Sequence, residues 1–323
     1  MSYTDKAYDE LSQYRPPLTK REDFDMFWVE TLEASGKVLL NPSVTPYNYP
    51  GLWAQVYDIE YDGFDGTRIH GWFIVPAFPE KIQYPCLIHY HGFAGNRGIP
   101  SDYMHWVSLG MTVLAVDVRG QCGNTGNRAV YSSGSMQGVV CNGILDRYEY
   151  YFRAVYMDSV RALDFACQQP QVEDTRIVIE GGSQGGALAM AVCSLDHRPW
   201  LALADVPSNS DLERRVEGSH GSFSVVTDYL KVFPQHTEKT LETLSYFDTM
   251  NMADKIKCGV LASVGLKDAV CPAKMYFATY NRITSPKEIR VYPFNGHEGG
   301  GAVHTDLKLR YLWEKIKELN VCT

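Results

Sequence analysis

The sequence predicts a doubly wound α/β fold, in which helices cover both faces of a mostly parallel sheet. Two observations predict it. Short apolar runs, each long enough for one buried strand, recur along the chain, and stretches with helical spacing of apolar residues separate them. Such alternation implies right-handed crossovers between parallel strands. A third observation, two alternating stretches ahead of these runs, predicts that the sheet begins with an antiparallel hairpin.

These elements can be placed in chain order. Thr19-Lys20-Arg21-Glu22 fits a capping box and predicts an early helix. The turn "DGFDG" between two alternating stretches predicts the hairpin. Buried strands are predicted for the runs "CLIHYH", "TVLAVD", "RIVIE", "LALAD" and "GVLASVG". Further helices are predicted for residues 101–109, 151–168, 272–282 and 304–319.

We expect a single domain covering residues 1–323, because no linker and no internal repeat interrupts the pattern. Two segments break the alternation of strand and helix. Residues 119–148 are rich in Gly, Ser and Asn and are too long for a plain connection, which predicts a functional loop. Residues 208–254 are polar with helical spacing, which predicts a helical insertion over one end of the sheet.

Composition and charge exclude several classes of partner. The chain has 30 Lys and Arg against 38 Asp and Glu, and the basic residues are scattered. We expect no nucleic acid or membrane partner, since there is no basic patch and no apolar run approaches the ~18 residues of a membrane span. The N-terminus carries no apolar signal segment, and the eight cysteines show no zinc-like spacing. We therefore expect a cytoplasmic protein without metal or cofactor.

The stretch "GGSQGG" is the strongest functional signal. It satisfies G-x-S-x-G, with an apolar strand before it and a helix of small residues after it. So tight a reversal forces unusual backbone angles at Ser183, and Gly181 and Gly185 leave room for neighbouring chain. The helix N-terminus would point backbone N–H groups at the reacting centre. The pattern predicts Ser183 as a nucleophile.

A serine nucleophile needs a base and an orienting acid. In this arrangement both follow later strands, at the carboxyl edge of the sheet. Asp268 follows the run "GVLASVG" and His297 follows "EIRVY", so we predict them as acid and base. The weaker candidates are His70 in the hairpin, His236 in the insertion, His304 at the start of the last helix, and Asp248 and Asp254 ahead of a strand.

Two backbone N–H groups are needed for the oxyanion. One is expected from Gln184, the residue after the nucleophile, and the other from the loop "HGFAG" after an earlier strand. We predict Phe93 as this second donor, with its ring lining the acyl pocket. His91 is expected to be a core histidine bonded to backbone, without a chemical role.

Taken together, several motifs resemble one known family. They are "HYHGFAGNRG", "VRGQCGNTGN", "GGSQGG", "TLSYFDTMNMADKIK", "GLKDAVCP" and "FNGHEG". The chain resembles the acetyl xylan esterase and cephalosporin-C deacetylase family, carbohydrate esterase family 7, from the first helix to about residue 317. The specific part is the combination of Arg119-Gly120-Gln121, the GxSQG around Ser183, and His297-Glu298.

The resemblance implies an α/β-hydrolase fold with an N-terminal extension of about residues 1–50 and the helical insertion. It implies removal of acetyl groups from sugar hydroxyls and from cephalosporin C, by Ser183, Asp268 and His297 with the N–H groups of Phe93 and Gln184. Arg119 and Gln121 are expected to brace the loop beside the site, and Glu298 to support local structure or subunit contact. Family members commonly form hexamers and lack a metal.

This sequence departs from the family pattern at two positions. Phe93 stands where tyrosine is frequent, which removes a hydroxyl and keeps the backbone donor. Cys122 follows the RGQ motif, and we expect a buried, inert thiol there rather than an oxidisable one. Two other activities of the fold stay open, a serine peptidase or amidase and another short-chain carboxylesterase. A binding scaffold that has lost activity is a third alternative.

Overall fold

A computed structural model of the chain describes residues 3–78, 82–134 and 138–321. The strands in these ranges are β1 (Ser43–Tyr47), β2 (Ala54–Asp62), β3 (Arg68–Pro76), β4 (Tyr84–Tyr90), β5 (Thr112–Val116), β6 (Val172–Gly182), β7 (Pro199–Asp205), β8 (Gly259–Gly265) and β9 (Lys287–Tyr292). The helices are α1 (Tyr3–Ser12), α2 (Phe24–Gly36), α3 (Met104–Ser108), α4 (Tyr151–Cys167), α5 (Gln184–Leu195), α6 (Leu212–Glu217), α7 (Ser224–Val232), α8 (Thr237–Ser245), α9 (Ala273–Tyr280) and α10 (Gly301–Val321).

The strands form one sheet in the order β1-β2-β3-β5-β4-β6-β7-β8-β9. The first three strands are antiparallel to their neighbours, and β3 is also antiparallel to β5. All strands from β4 to β9 run parallel. The predicted doubly wound, mostly parallel sheet with an antiparallel hairpin at its start is therefore confirmed.

One local prediction at the N-terminal end of the chain is wrong, and one strand there was not predicted. The helix α2 begins at Phe24 and its N-cap is Asp23, so the capping box at residues 19–22 does not form. The Thr19 hydroxyl instead accepts a hydrogen bond from Asn251 Nδ2 at 2.9 Å. The edge strand β1 was not predicted, because four of its five residues are exposed and so carry no alternation of apolar and polar positions.

The core lies on both faces of the sheet. Successive residues of β4 point to opposite faces, as the pleat of a strand requires. Ile88 belongs to the same buried cluster as Tyr156 of α4, whereas Leu87 belongs to the cluster of Trp106 and Leu312 on the other face. Both residues are fully buried. This explains why the parallel strands appear in the sequence as continuous apolar runs.

The sheet order brings several strand ends together. Because β5 lies on one side of β4 and β6 on the other, the chain reverses its direction of winding between β4 and β6. Ligands of open α/β sheets bind outside the carboxyl ends of the strands at such a switch point. The insertion predicted at residues 208–254 contains α6, α7 and α8, between β7 and β8. In the described ranges, no helix is both long enough and apolar enough to cross a membrane.

Candidate active site

Ser183 occupies the turn between β6 and α5, at the switch point of the sheet. Its backbone angles are φ 58° and ψ −117°, in a region that residues with a side chain rarely adopt. Neighbouring chain holds it there. The Ser183 N–H donates to the Asp205 carbonyl at 2.8 Å, and the Ser183 carbonyl accepts from the Ser208 N–H at 3.0 Å. Such strain persists only where the surroundings fix it, and it is concentrated at functional sites.

Glycine is required at the predicted positions on either side of this turn. A Cβ atom on Gly181 would lie 2.5 Å from the Tyr90 carbonyl oxygen at the end of β4, and a Cβ on Gly185 would overlap the same oxygen. The two glycines therefore let α5 start directly against β4. This close approach fixes where the hydroxyl of Ser183 points relative to the loop after β4.

Asp268 and His297 lie on the loops after β8 and β9 and contact each other. Asp268 Oδ2 is 2.8 Å from His297 Nδ1. The other carboxylate oxygen, Oδ1, accepts hydrogen bonds of 2.8 Å from the N–H groups of Val270 and Cys271. Asp268 is buried and is thus held by its own loop, with one oxygen left to orient the imidazole.

Ser183 and His297 open into a common cavity of about 580 Å³. The described residues that line it are Gly92, Phe93, Gly182, Ser183, Asp205, Val206, Arg215, Gly221, Ser222, Val270, Cys271, His297 and Glu298. Asp268 is not among them, since it lies behind the imidazole. The structure therefore brings together the serine, the histidine and the aspartate that the sequence singles out.

Cys271 lies beside both side chains. Its Sγ is 3.8 Å from Ser183 Oγ, at the limit of a hydrogen bond to sulfur. Hydrogen bonds with Asp268 and then with Cys271 raise the pKa of His297 to about 10. Burial disfavours a Cys271 thiolate, but the hydrogen bond with His297 and the charge of Arg215 outweigh it and lower the pKa of the thiol. The contact between the thiol and the imidazole therefore favours the charged form of each group.

Phe93 lines the cavity from the loop after β4, and Gln184 is buried in the first turn of α5, directly after Ser183. The Gln121 side chain connects these two segments. Its Oε1 accepts from the Ala94 N–H at 2.9 Å, and its Nε2 donates to Gln184 Oε1 at 2.8 Å and to the Tyr151 hydroxyl at 3.0 Å. Gln121 does not line the cavity, which fits the bracing role that the sequence suggests.

Arg119 lies beneath this link and is fully buried. Its guanidinium bonds to Asp158 at 2.5 and 2.8 Å and to Asp65 at 2.9 and 3.0 Å. Its carbonyl accepts from the Tyr151 hydroxyl at 2.6 Å. Arg119 therefore supports the segment that carries Gln121 and does not reach the cavity.

Glu298 lines the cavity beside His297, and its carboxylate bonds to its own loop. Oε1 accepts from Asn295 Nδ2 at 2.9 Å and Oε2 from the Gly296 N–H at 3.0 Å. These bonds lower the pKa of Glu298, the largest cause being its own backbone N–H. The contacts are those of a residue that shapes the histidine loop.

Cys122 and His91 lie on the loops after β5 and β4. Cys122 is exposed, so the expected burial of this thiol is wrong. It lies on the irregular loop after β5, where its carbonyl accepts a hydrogen bond from Asn96 Nδ2. His91 is buried, and its ring bonds to the Gly92 carbonyl and to the Val118 N–H at 2.7 and 2.9 Å, in accordance with the expected backbone-bonded core histidine.

Sequence reasoning missed several residues of the cavity, among them Cys271, Arg215 and Val206. Cys271 follows Asp268 by three positions in the same loop. Its closeness in the sequence to the predicted acid was the signal that could have placed it near the site. Arg215 comes from α6 of the insertion, and nothing in the sequence distinguishes it from Arg214. Val206, directly after β7, is held at φ 39° although it is β-branched, which only the three-dimensional structure shows.

A family model described as acetyl xylan esterase matches residues 1–315 of this chain. The solved structure of an acetyl xylan esterase from Paenibacillus sp. R4 is 41% identical, with a TM-score of 0.91 over 96% of this chain and 98% of that protein. Acetyl xylan esterase 1 from a Thermoanaerobacterium species is 32% identical, with a TM-score of 0.89 over 95% and 98% of the two chains.

A curated relative, an acetyl esterase of Xylanibacter ruminicola, is 28% identical over 292 residues, or 87% of this chain. The chain spans 64% of the length of that relative. More distant solved α/β hydrolases are under 25% identical and share the fold alone. They confirm the expected α/β-hydrolase fold.

Proposed function

The chain belongs to the acetyl xylan esterase family, and we propose that it is a serine esterase that removes acetyl groups from the hydroxyls of acetylated sugars and xylo-oligosaccharides. One observation carries the proposal. Ser183, in its strained turn, shares a cavity with His297, whose Nδ1 is bonded to the buried Asp268. This is the arrangement that activates a serine toward an ester carbonyl.

In the first half-reaction, Ser183 Oγ attacks the acetyl carbonyl and its proton moves to His297 Nε2. Asp268 accepts the Nδ1–H bond, so it fixes the tautomer and stabilises the imidazolium that forms. The oxyanion is bound by the N–H groups of Phe93 and Gln184. As the tetrahedral intermediate collapses, the sugar oxygen leaves with the proton from His297, and the acetyl group remains on Ser183.

In the second half-reaction, water replaces the sugar. His297 takes a proton from the water, whose oxygen attacks the acetyl carbonyl, and the same donors hold the oxyanion. Collapse returns the proton to Ser183 Oγ and releases acetate. Catalysis requires the Ser183 hydroxyl to exchange its contact with Cys271 for a hydrogen bond to His297. Such hydrogen bonds often form fully only with substrate bound.

The resemblance to the acetyl xylan esterase and cephalosporin-C deacetylase family extends the proposal to further substrates and to the oligomeric state. We include cephalosporin C among the substrates, since it presents an acetyl ester on a compact alcohol. We also propose a homo-oligomer, a hexamer by resemblance, in the cytoplasm. Light scattering coupled to size-exclusion chromatography measures this assembly directly, and a monomeric mass contradicts it.

The function is tested with Ser183→Ala and Asp268→Asn, assayed on acetyl, propionyl and butyryl esters, acetylated xylo-oligosaccharides and an aminoacyl anilide. We expect kcat to fall on the order of 10⁴-fold or more in both variants, with unchanged thermal unfolding of Ser183→Ala. Asp254→Asn, an exposed aspartate outside the described cavity lining, is the matched control, and we expect it to keep full activity.

Turnover of acetyl esters by Ser183→Ala would rule out the nucleophile. Faster cleavage of the anilide than of acetyl esters by the wild-type protein would favour the peptidase alternative. Equal rates for the three acyl lengths would replace the acetyl esterase by a broader carboxylesterase.

A further inference from the structure

We propose that Lys308 is a positioning residue for Ser183: by binding Glu180 and Asp205 at once, it holds together the ends of β6 and β7 that fix the nucleophile turn. This inference rests on the proposed esterase function. It comes from a buried ion cluster whose ammonium group the reaction itself does not use.

Lys308 lies on α10 and is 4% exposed. Its Nζ donates to Glu180 Oε1 at 2.7 Å and to Asp205 Oδ2 at 2.6 Å. The other oxygen of Glu180, Oε2, is 2.5 Å from Nδ1 of His89 on β4. Because β4, β6 and β7 are neighbours in the sheet, one ammonium group connects α10 directly to two adjacent strands and, through Glu180, to a third.

These strands also hold the turn at Ser183. β6 pairs with β7 up to its last residue, Gly182, which lies opposite Asp205. The Ser183 N–H then donates to the Asp205 carbonyl, as described above. On the other side of β6, the Tyr90 carbonyl at the end of β4 leaves room only for a glycine at position 185. The strands that Lys308 connects are therefore the ones against which the nucleophile turn packs.

Both carboxylate oxygens of Asp205 have partners. Oδ2 accepts from Lys308, whereas Oδ1 accepts from Ser263 Oγ on β8 at 3.2 Å and lies 2.9 Å from His304 Nε2. The main chain of the same residue supports Ser183, so a displaced Asp205 side chain would also move the acceptor of the Ser183 N–H. The strained backbone at Ser183 persists only while its surroundings stay fixed.

Loss of Lys308 would leave two carboxylates facing each other. Their oxygens bond to the same Nζ and so lie close together, and Glu180 is 6% exposed. Burial works to raise the pKa of each carboxyl, but the charge of Lys308 is the largest influence in the other direction, and the pKa of each is lowered. Without that charge, the two anions at the ends of β6 and β7 repel each other. We expect the strand ends to separate and the turn that they hold to lose its fixed position.

A competing explanation is that Lys308 only neutralises buried charge and has no influence on the turn. In that case its loss would lower the free energy of unfolding, but molecules that remain folded would react at the wild-type rate. The two explanations therefore differ in kcat per folded molecule and in how well the Ser183 N–H is protected from exchange.

The first experiment measures kcat and KM of the full chain for 4-nitrophenyl acetate, with the folded fraction determined by circular dichroism. We expect kcat per folded molecule to fall about ten- to hundredfold in Lys308→Met, with KM within about threefold, because the turn is misplaced while the substrate contacts remain. Lys317→Met removes a lysine of the same helix, whose side chain is 46% exposed and bonds to Glu314, and we expect it to keep both constants. If Lys308→Met fails to fold, Glu180→Gln is measured in its place. It keeps the bond between Lys308 and Asp205, and we expect kcat to fall about threefold or more.

Hydrogen exchange followed by mass spectrometry separates failure of this inference from failure of the proposed function, because it needs no turnover. We expect the fragment of residues 181–187 to exchange about tenfold or more faster in Lys308→Met than in Lys317→Met. A fragment of α4, which packs on the opposite face of the sheet from α10, should exchange equally in both variants.

Equal exchange of residues 181–187 in the two variants, or an equal increase across the whole chain of Lys308→Met, overturns the inference. So does a wild-type kcat in folded Lys308→Met. If the wild-type protein hydrolyses no acetyl ester but local exchange depends on Lys308, the esterase function fails and the positioning role stands.

Discussion

The two walls of the cavity are built in different ways. The nucleophile wall consists of Phe93 and Ser183, with Gln121 and the buried Gln184 behind them, and the amide side chains join these parts by bonds of 2.8 to 3.0 Å. The acid wall consists of Arg215, Val270, Cys271 and His297. Its links to sulfur are 3.5 and 3.8 Å long, and two guanidinium nitrogens are unpaired.

The difference separates two tasks. Donors that stabilise an oxyanion must be held in place before the reaction, because reorganising them during the reaction would cost free energy. The nucleophile wall meets this demand with a closed network. The acid wall is held by longer contacts to the polarizable sulfur of Cys271. We infer that the first wall holds the oxyanion donors and that the second influences the pKa of His297 through Cys271.

The largest expected effect comes from replacing Arg119, which supports the segment that carries Gln121 behind the nucleophile wall. Arg119→Met leaves Asp158 without its partner, and this carboxylate is almost fully buried. Burial already raises the pKa of Asp158, against the pull of Arg119. We expect the free energy of unfolding in urea to fall by about 3–5 kcal/mol. Arg68→Met, which removes a cation paired with Glu60 and Asp62 at a side-chain exposure of 35%, should cost about 1 kcal/mol or less. Equal losses of unfolding free energy in Arg119→Met and Arg68→Met would contradict the expected difference between a buried and a partly exposed ion pair.

The two walls also differ in how well the sequence predicts them. Ser183 and its flanking glycines form a local pattern, because the strained turn and the close approach of β4 require those residue types in that order. Asp268 and His297 were found by their places after strands, since the parallel sheet places those strand ends together. The nucleophile wall and the catalytic pair could therefore be proposed before the structure.

Arg215 and Cys271 could not be predicted in this way. Arg214 and Arg215 are adjacent and chemically identical, yet one side chain is 60% exposed and the other residue is 1% exposed. Only the packing of α6 over the cavity distinguishes them. The edge strand β1 was missed for the converse reason, because its exposed residues carry no apolar pattern. Sequence patterns thus indicate burial and local strain, and they miss features that arise from tertiary contact.

A smaller effect is expected from loosening the nucleophile wall while leaving its donors in place. Gln121→Ala removes the links from Ala94 to Gln184 and to Tyr151. We expect kcat for acetyl ester hydrolysis to fall roughly tenfold, less than the loss of an oxyanion donor, with KM within about twofold. A lower kcat with a nearly unchanged KM indicates that Gln121 positions the oxyanion donors, whereas a general loss of structure would change both constants. Gln169→Ala, whose side-chain amide donates to the Phe165 carbonyl, is the control and keeps both constants. A rise in KM with unchanged kcat would place Gln121 in substrate binding.

The smallest effect is expected from the acid wall, as a change in pH dependence. His297 must be neutral to accept the Ser183 proton, and its pKa is raised to about 10 by Asp268 first and Cys271 second. Activity should therefore be lost as the pH falls through this raised pKa, so the acid limb of kcat/KM lies above the ordinary histidine value of about 6.5. Cys271→Ala removes one hydrogen bond to the imidazolium, which lowers the pKa of His297 and moves the acid limb of kcat/KM to lower pH.

The matched control is Cys122→Ala, since that thiol is exposed and lies outside the described lining of the cavity. A limb that stays in place in Cys271→Ala, or moves equally in both variants, would show that the acid wall does not tune His297.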